Sequence, residues 1–318
     1  MTQWRCPSCG NEVKVGAEDL VTVCEYCRTC FTVEGRIIKE HYLIPMYHNS
    51  SRAVENLLLW VKKQIGAEED LPLHFEISRI TLDFYPFWHA NVVGHTKFEG
   101  IGEDADYSWP VEFNTYRSII RTSKIESGEI ERSFSLTYPA SKDIPIQILD
   151  YEFPVRGRKY FSEAYVREYG GRIHNGNLLQ QDVEGRAKHD TLKYLTEHLR
   201  KEVFEIKSRS DEIHVSSVFY LHAPIYHVNY SFNKKGYEAF IDASTGRILY
   251  ATYPISIAYR AISGSIGAAH LLGAVLGGMF ISSLSLLAAA SLSTGLFAAG
   301  VVFLIRAAQF GRGREAAK

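Results

Sequence analysis

A multi-domain architecture is expected from this sequence. It comprises a small cysteine-rich β module, a duplicated α+β middle domain and a C-terminal transmembrane α-helical hairpin. Three observations carry that expectation. All five cysteines fall within the first 30 of 318 residues. A hexapeptide beginning at Pro86 returns at Pro224, each time after a helical stretch. Residues 261–305 contain no Asp, Glu, Lys or Arg. With 35 basic against 36 acidic residues, 22% charged and 46% hydrophobic, the composition excludes disordered and fibrous classes. It also weakens a nucleic-acid binder driven by charge alone.

Cys6-Pro-Ser-Cys9-Gly10 and Cys24-Glu-Tyr-Cys27 are two CxxC pairs separated by 14 residues. Each pair turns two thiolates toward one point. Two such pairs complete a closed tetrahedral site for one structural Zn²⁺, with Cys6, Cys9, Cys24 and Cys27 as ligands. Such a site leaves no open position for substrate. A disulfide framework fits poorly, because the other 288 residues hold no cysteine and no signal peptide precedes the cluster. Gly10 suits the tight turn after the first pair. Residues 12–15 and 20–23 alternate like the two strands of one hairpin. Cys30 reads as a small, partly buried non-ligand, since Phe31 and Val33 continue a strand pattern around it.

In the form CPxCG…CxYC…F, residues 4 to about 36 resemble zinc ribbons of the transcription factor IIB type. The resemblance implies a β zinc ribbon over residues 1–37 and a metal, not a role in transcription. Those residues carry four basic and five acidic side chains, and a zinc held by four thiolates makes the module more anionic. An anionic ribbon suits docking to a protein better than clamping DNA.

The middle, residues 38–255, reads as two related units of about 38–150 and 151–255. The first has a helix over 51–65, with Ser51 as N-cap, Gly66 as C-cap, and Val54, Leu57, Leu58, Val61 and Ile65 on one face. The second has a helix over about 184–206 with a stripe of Leu192, Leu195, Leu199 and Val203. Pro86-Phe-Trp-His-Ala-Asn91 and Pro224-Ile-Tyr-His-Val-Asn229 follow, each proline placed at the start or edge of a strand. Alternation puts Phe87, His89 and Asn91 on one face and Trp88, Ala90 and Val92 on the other. The repeated His89 and His227 admit two readings: bonds to backbone carbonyls at a sheet end, or a histidine-dependent metalloenzyme. His95 and His222 lie nearby in sequence.

Ala223 to Phe232, the turn Asn233-Lys-Lys-Gly236 and the return to Ile241 form a hairpin, followed by a turn at Asp242-Ala-Ser-Thr-Gly246. This stretch resembles PepSY-type modules over about 30 residues, implying a small non-catalytic α+β domain. The basic and aromatic stretch 155–172 reads as a solvated face. No nucleophile elbow, metalloprotease helix, phosphate loop or dinucleotide fingerprint is present, so no catalytic residue and no enzymatic activity are expected.

The uncharged stretch fits two spans near 262–281 and 286–305, joined at Ser282-Ser-Leu-Ser285, within a membrane region 256–306. Ala269, Gly273 and Gly277 recur every fourth residue. That small-residue face suits close helix packing, within the hairpin or as a homo-oligomer through Gly273 and Gly277. His270 is the one ionisable side chain of the stretch. Arg260 precedes it, and Arg306, Arg312, Arg314 and Lys318 follow, the last three on a basic tail 307–318. The positive-inside rule and the reduced cysteines place both flanks in the cytoplasm, making a multi-pass cell-membrane protein.

The order of ribbon, "YPFW" strand (Phe84-Tyr85-Pro86-Phe87-Trp88) and membrane anchor resembles prokaryotic zinc-ribbon membrane proteins. Some of these are associated with phage-shock-type membrane-stress systems. Arg28 departs from that pattern, in which glycine is common. The expected function is a non-enzymatic membrane adaptor recruiting a cytoplasmic protein partner. A membrane-tethered nucleic-acid-binding ribbon is the alternative.

Overall fold

The computed structural model describes residues 2–106, 120–281, 286–308 and 311–314. The expected turn at 282–285 and the tail end at 315–318 lie outside the described residues. The N-terminal module holds two hairpins. β1 (Thr2–Arg5) pairs with β2 (Glu12–Val15), and β3 (Val21–Val23) pairs with β4 (Cys30–Thr32). Residues 12–15 and 20–23 therefore belong to different hairpins. Each CxxC pair forms the turn of its own hairpin, so the strand it closes is the one on its far side.

The module is bonded into the middle domain. Leu20 and Val21 N–H groups donate to the Gly176 carbonyl at 2.7 and 2.9 Å, and Gly176 N–H returns a 2.9 Å bond to Val21. Val21 and Cys30 lie in one buried cluster with Trp88 and Tyr220.

Among the described residues, the middle is built on one nine-stranded sheet. In chain order come β5 (His41–Leu43), α1 (Ser50–Val61), β6 (Glu76–Asp106) and β7 (Ile120–Pro139). Then follow β8 (Lys159–Tyr160), α2 (Glu163–Glu168), β9 (Arg172–Ile173), α3 (Gln180–Glu202) and β10 (Glu205–Phe232). β11 (Lys235–Asp242) and β12 (Ile248–Tyr253) complete the hairpin read from the sequence. α1 is capped by Asn49, whose side chain accepts from Arg52 N–H at 2.9 Å, two residues before the expected Ser51. It ends at Val61, so Ile65 falls off the buried face and is 83% exposed. α3 starts and stops earlier than expected, because Ile206 is drawn into pairing with Gly100 of β6.

β6 and β10 run antiparallel along almost their whole lengths, with Tyr85 opposite Ala223. Around that pair the neighbours reciprocate. β5 lies parallel to β10 at Tyr220–His222, and β9 lies parallel to β6 at Asp83–Phe84. β11 then folds back along β10, and β7 along β6. Pro86 and Pro224 stand where one neighbour gives way to the next, inside long strands and not at their starts. Their carbonyls accept 3.0 Å bonds from Ala140 and Ala243. A strand residue points its N–H and C=O to the same edge, so each missing N–H falls in the gap between neighbours and costs no ladder bond.

The two long helices, α1 and α3, pack on one sheet face. Leu57, Trp60 and Val61 of α1 meet Leu82, Phe84, Val228 and Tyr230. Val183 and Ala187 of α3 meet Trp88, Ala90 and Val92. The other face buries Phe87, Phe219, Leu221 and Ile225 under Ile144, Ile148 and Phe153. The expected alternation of residues 87–92 between faces follows this division.

α4 (Ile257–Ile281) and α5 (Leu286–Ala308) pack antiparallel. Ile257–Met279 is long and apolar enough to cross a membrane, and Ala290–Ile305 is a shorter apolar helix. Gly267 of α4 faces the Gly300 carbonyl, while Gly273 and Gly277 face Leu296 and Leu292. The small-residue stripe is thus occupied by α5 of the same chain. After α5 the chain returns to the sheet as β13 (Gly311–Gly313), pairing Gly311 with Tyr253 and Gly313 with Ala251 of β12.

Candidate metal centre

The two hairpin turns bring Cys6, Cys9, Cys24 and Cys27 together, with all four sulfurs within 4.8 Å of one another. Cys6 and Cys27 sulfurs are 3.5 Å apart, and those of Cys9 and Cys24 are 3.7 Å apart. Metal–sulfur bonds of ~2.3 Å in a tetrahedron give edges of about 3.8 Å, so the donor set fits a four-coordinate soft metal. Among the described residues this is the one group of three or more metal-ligating side chains that converges.

The two turns share one backbone design. Gly10 N–H donates to the Cys6 carbonyl at 2.9 Å, and Arg28 N–H to the Cys24 carbonyl at 3.0 Å. Cys6 and Cys24 N–H groups in turn donate to Asn11 and Thr29 at 2.9 Å. Gly10 has φ +77° and Arg28 φ +70°. Arg28 thus occupies the left-handed position that glycine fills in the first turn. A side chain there costs about 1–2 kcal/mol. The Arg28 guanidinium binds the Glu25 carbonyl and the Glu163 carboxylate of α2, which offsets that cost and ties the second turn to the middle domain.

Cys6 and Cys24 are buried, Cys27 is half-buried and Cys9 is exposed. Burial pushes the Cys24 thiol up to about 12. Burial acts in the same direction at Cys27, but bonds from Thr29 and the neighbouring cysteines outweigh it and bring that thiol down to about 6. A bound dication favours the thiolate form of all four.

Cys30 stands apart, fully inside the cluster of Val21, Trp88 and Tyr220, where burial raises its thiol pKa. Asn175, Gly176 and Glu163 hold the module in place, with Asn175 bridging Thr22 and Asp19 at 2.9 and 2.8 Å. No local pattern marked these residues, since each acts across more than 130 positions of chain.

His89 bonds side chains rather than backbone carbonyls, while the buried Nε2 of His227 makes no hydrogen bond among the described residues. His89 sits between Thr137 and Ser135 at 2.8 and 2.9 Å and packs on Phe219. His227 stacks on Phe240, with Glu238 at 3.5 Å. His89 lies opposite Phe219, eight residues along β10 from His227, a contour of roughly 26 Å. The two do not share a site. His95 pairs with Glu129 at 3.2 Å. His222 is wholly buried and joins His41 at 2.9 Å. His270 bonds the Ile266 carbonyl of its own helix. In the basic stretch 155–172, Arg158 lies 4.2 Å over the Phe219 ring, Arg167 pairs with Glu163 and Arg172 with Asp83. The stretch is mostly exposed, and of its cations Arg158 packs on a ring while Arg167 and Arg172 form ion pairs at the surface.

No protein-family model, curated protein or solved structure matches this chain.

Proposed function

We propose that this chain is a non-enzymatic, membrane-anchored adaptor in which one structural Zn²⁺ organises a docking module for a cytoplasmic protein. The observation that carries the reading is mechanical continuity. The second cysteine hairpin is bonded to the middle domain through Gly176, Asn175 and Glu163, and the sheet of that domain holds both ends of the apolar hairpin. A force or displacement at one end is transmitted through packed strands to the other. Zinc is the metal that suits four cysteine sulfurs in a tetrahedral, closed set. A closed set supplies folding energy and leaves no position for substrate.

Two spans are favoured over one by the pairing of β13 with β12. Residues 311–313 follow α5 and residues 251–253 precede α4, yet they form one ladder. A single crossing would leave them on opposite sides of a bilayer. Arg260, Arg312 and Arg314 flank the hairpin on that shared side, which the positive-inside rule assigns to the cytoplasm.

The reciprocal pairing about Tyr85 and Ala223 supports two copies of one β–α–β–β unit. The Asp242–Gly246 turn after β11 supports the PepSY-like reading of the second copy, since Asp242 accepts from the Ser244 and Thr245 hydroxyls at 2.6 and 2.7 Å.

Pull-down from detergent-solubilised membranes tests the adaptor reading. The intact chain is compared with a Cys6→Ser/Cys9→Ser variant of equal abundance. Loss of specific partners, membrane-stress proteins among them, supports a ribbon-centred adaptor. Identical partners from both chains remove the ribbon as the docking site.

A further inference from the structure

We infer that the sheet end carrying residues 64–73 rests on the lipid surface itself, as an interfacial seat separate from the spans. The inference rests on the membrane reading above and adds the surface by which the folded domain touches the bilayer.

Several elements finish at that end. α1 ends at Val61, β10 at Phe232 and β12 at Tyr253, while β6 begins at Glu76 and β11 at Lys235. The loop after α1 is bonded to the start of α4. Ala67 bridges to Ile255, Glu68 N–H donates to the Pro254 carbonyl at 3.1 Å, and Ser256 N–H donates to Gly66 at 2.9 Å. Gly66, at φ +75°, lies against the Tyr259 ring so closely that a Cβ would not fit. The loop is therefore held level with the first turn of the span.

From this plane three large aliphatic side chains project outward: Ile65 at 83% exposed, Leu73 at 77% and Ile257 at 82%. Leu71, two residues before Leu73, is buried, so the 3₁₀ turn Leu71–Leu73 is anchored on one side and bare on the other. His74, next to Leu73, packs edge-on to Phe232, the last residue of β10. Exposed Lys62, Lys63, Lys234 and Lys235 surround the seat, and exposed Glu69, Asp70 and Glu76 lie among them. These charges nearly cancel, so apolar insertion rather than attraction to anionic lipid drives the contact. The occupant is fixed by continuity, because Ile257 is both a seat residue and the first residue of the span.

The test uses the full chain in phosphatidylcholine nanodiscs made with unbrominated lipid, with lipid brominated near the headgroup, or with lipid brominated deep in the acyl chains. Four variants are compared with the parent: Leu73→Trp, Ile65→Trp, Leu272→Trp within the span, and Tyr160→Trp as a remote control. Tyr160 is exposed and pairs with Tyr42 at the level of Leu221, eleven residues along β10 from Phe232. The fluorescence added by the new indole is expected to fall about twofold or more for Leu73→Trp and Ile65→Trp, and to hold for Tyr160→Trp. If Leu272→Trp is quenched by brominated acyl chains while Leu73→Trp and Ile65→Trp behave like Tyr160→Trp, the seat is overturned and the span stands. That pattern also covers the case in which a second copy of the chain shields these residues. If Leu272→Trp is not quenched, the membrane reading itself fails.

Discussion

At the scale of single residues, the cysteines divide four to one, and the reason is geometric. Cys30 lies only three residues after Cys27, yet β4 carries its side chain away from the turn and into the core beside Trp88. Spacing alone left that choice open; the strand direction made it. Cys24→Ser should therefore reduce metal content from about one ion per chain to background, with a stability loss beyond about 4 kcal/mol. Cys30→Ala should leave metal content unchanged. Elemental analysis of the purified chains checks both. Arg28 combines a strained backbone with an ion pair to Glu163. Arg28→Gly should change stability little in the native background, because the two effects oppose. In a Glu163→Gln background the same change should stabilise by about 1 kcal/mol, read from denaturant midpoints. The buried His41–His222 pair sets a pH dependence. Burial holds His222 down to about 4 and His41 well below its ordinary range, with repulsion from His222 adding to the latter. Below about pH 6.5 the unfolded chain accepts protons that the folded pair refuses. Stability is thus complete above that pH and is lost as pH falls toward about 4, by roughly 1.4 kcal/mol per pH unit for each histidine. His222→Asn should flatten this slope between about pH 7 and about pH 5, measured by chemical unfolding of matched samples.

At the scale of elements, periodicity located α1, α3 and the β10–β11 hairpin, because each is specified by neighbours in sequence. Their ends moved by several residues where tertiary pairing intervened, as when Ile206 joined Gly100. The two proline strands were legible as strands, but the role of Pro86 and Pro224 was not. It depends on which third strand lies alongside, and at each proline one of those neighbours comes from more than 80 positions away, β9 beside Phe84 and β5 beside His222. β13 was invisible for the same reason: three residues, Gly-Arg-Gly, have no strand signature of their own. Their pairing requires that Gly311 lie flat against Tyr253, where any Cβ would collide with the ring. Gly311→Val should detach β13 and raise amide exchange over 251–253, while the helicity of α4 and α5 is retained. Hydrogen-exchange mass spectrometry distinguishes this from global loosening, which would also speed exchange in β6 and β10.

At the scale of the whole molecule, the sheet is a column whose β12 and β13 strands flank the apolar hairpin. β6 has 31 residues and β10 has 28, contours of about 100 and about 90 Å. The ribbon is bonded partway along this column, at the level of Phe84 and Trp88. Both flanks of the hairpin return to one sheet edge, so reporters fused to either terminus should lie on the same side of the membrane. A fluorescent protein fused to the C-terminus should mature, and an alkaline phosphatase fused there should stay inactive. The opposite result would overturn the proposed two-span topology. The four converging cysteines, the apolar stretch and the helix and hairpin cores were legible from residue types at short, fixed spacings. Where the ribbon is fastened, which strands exchange at the prolines and how the tail pairs with β12 became visible only in the folded molecule. Those outcomes depend on surfaces that meet after the chain has folded over itself, and no local spacing encodes them.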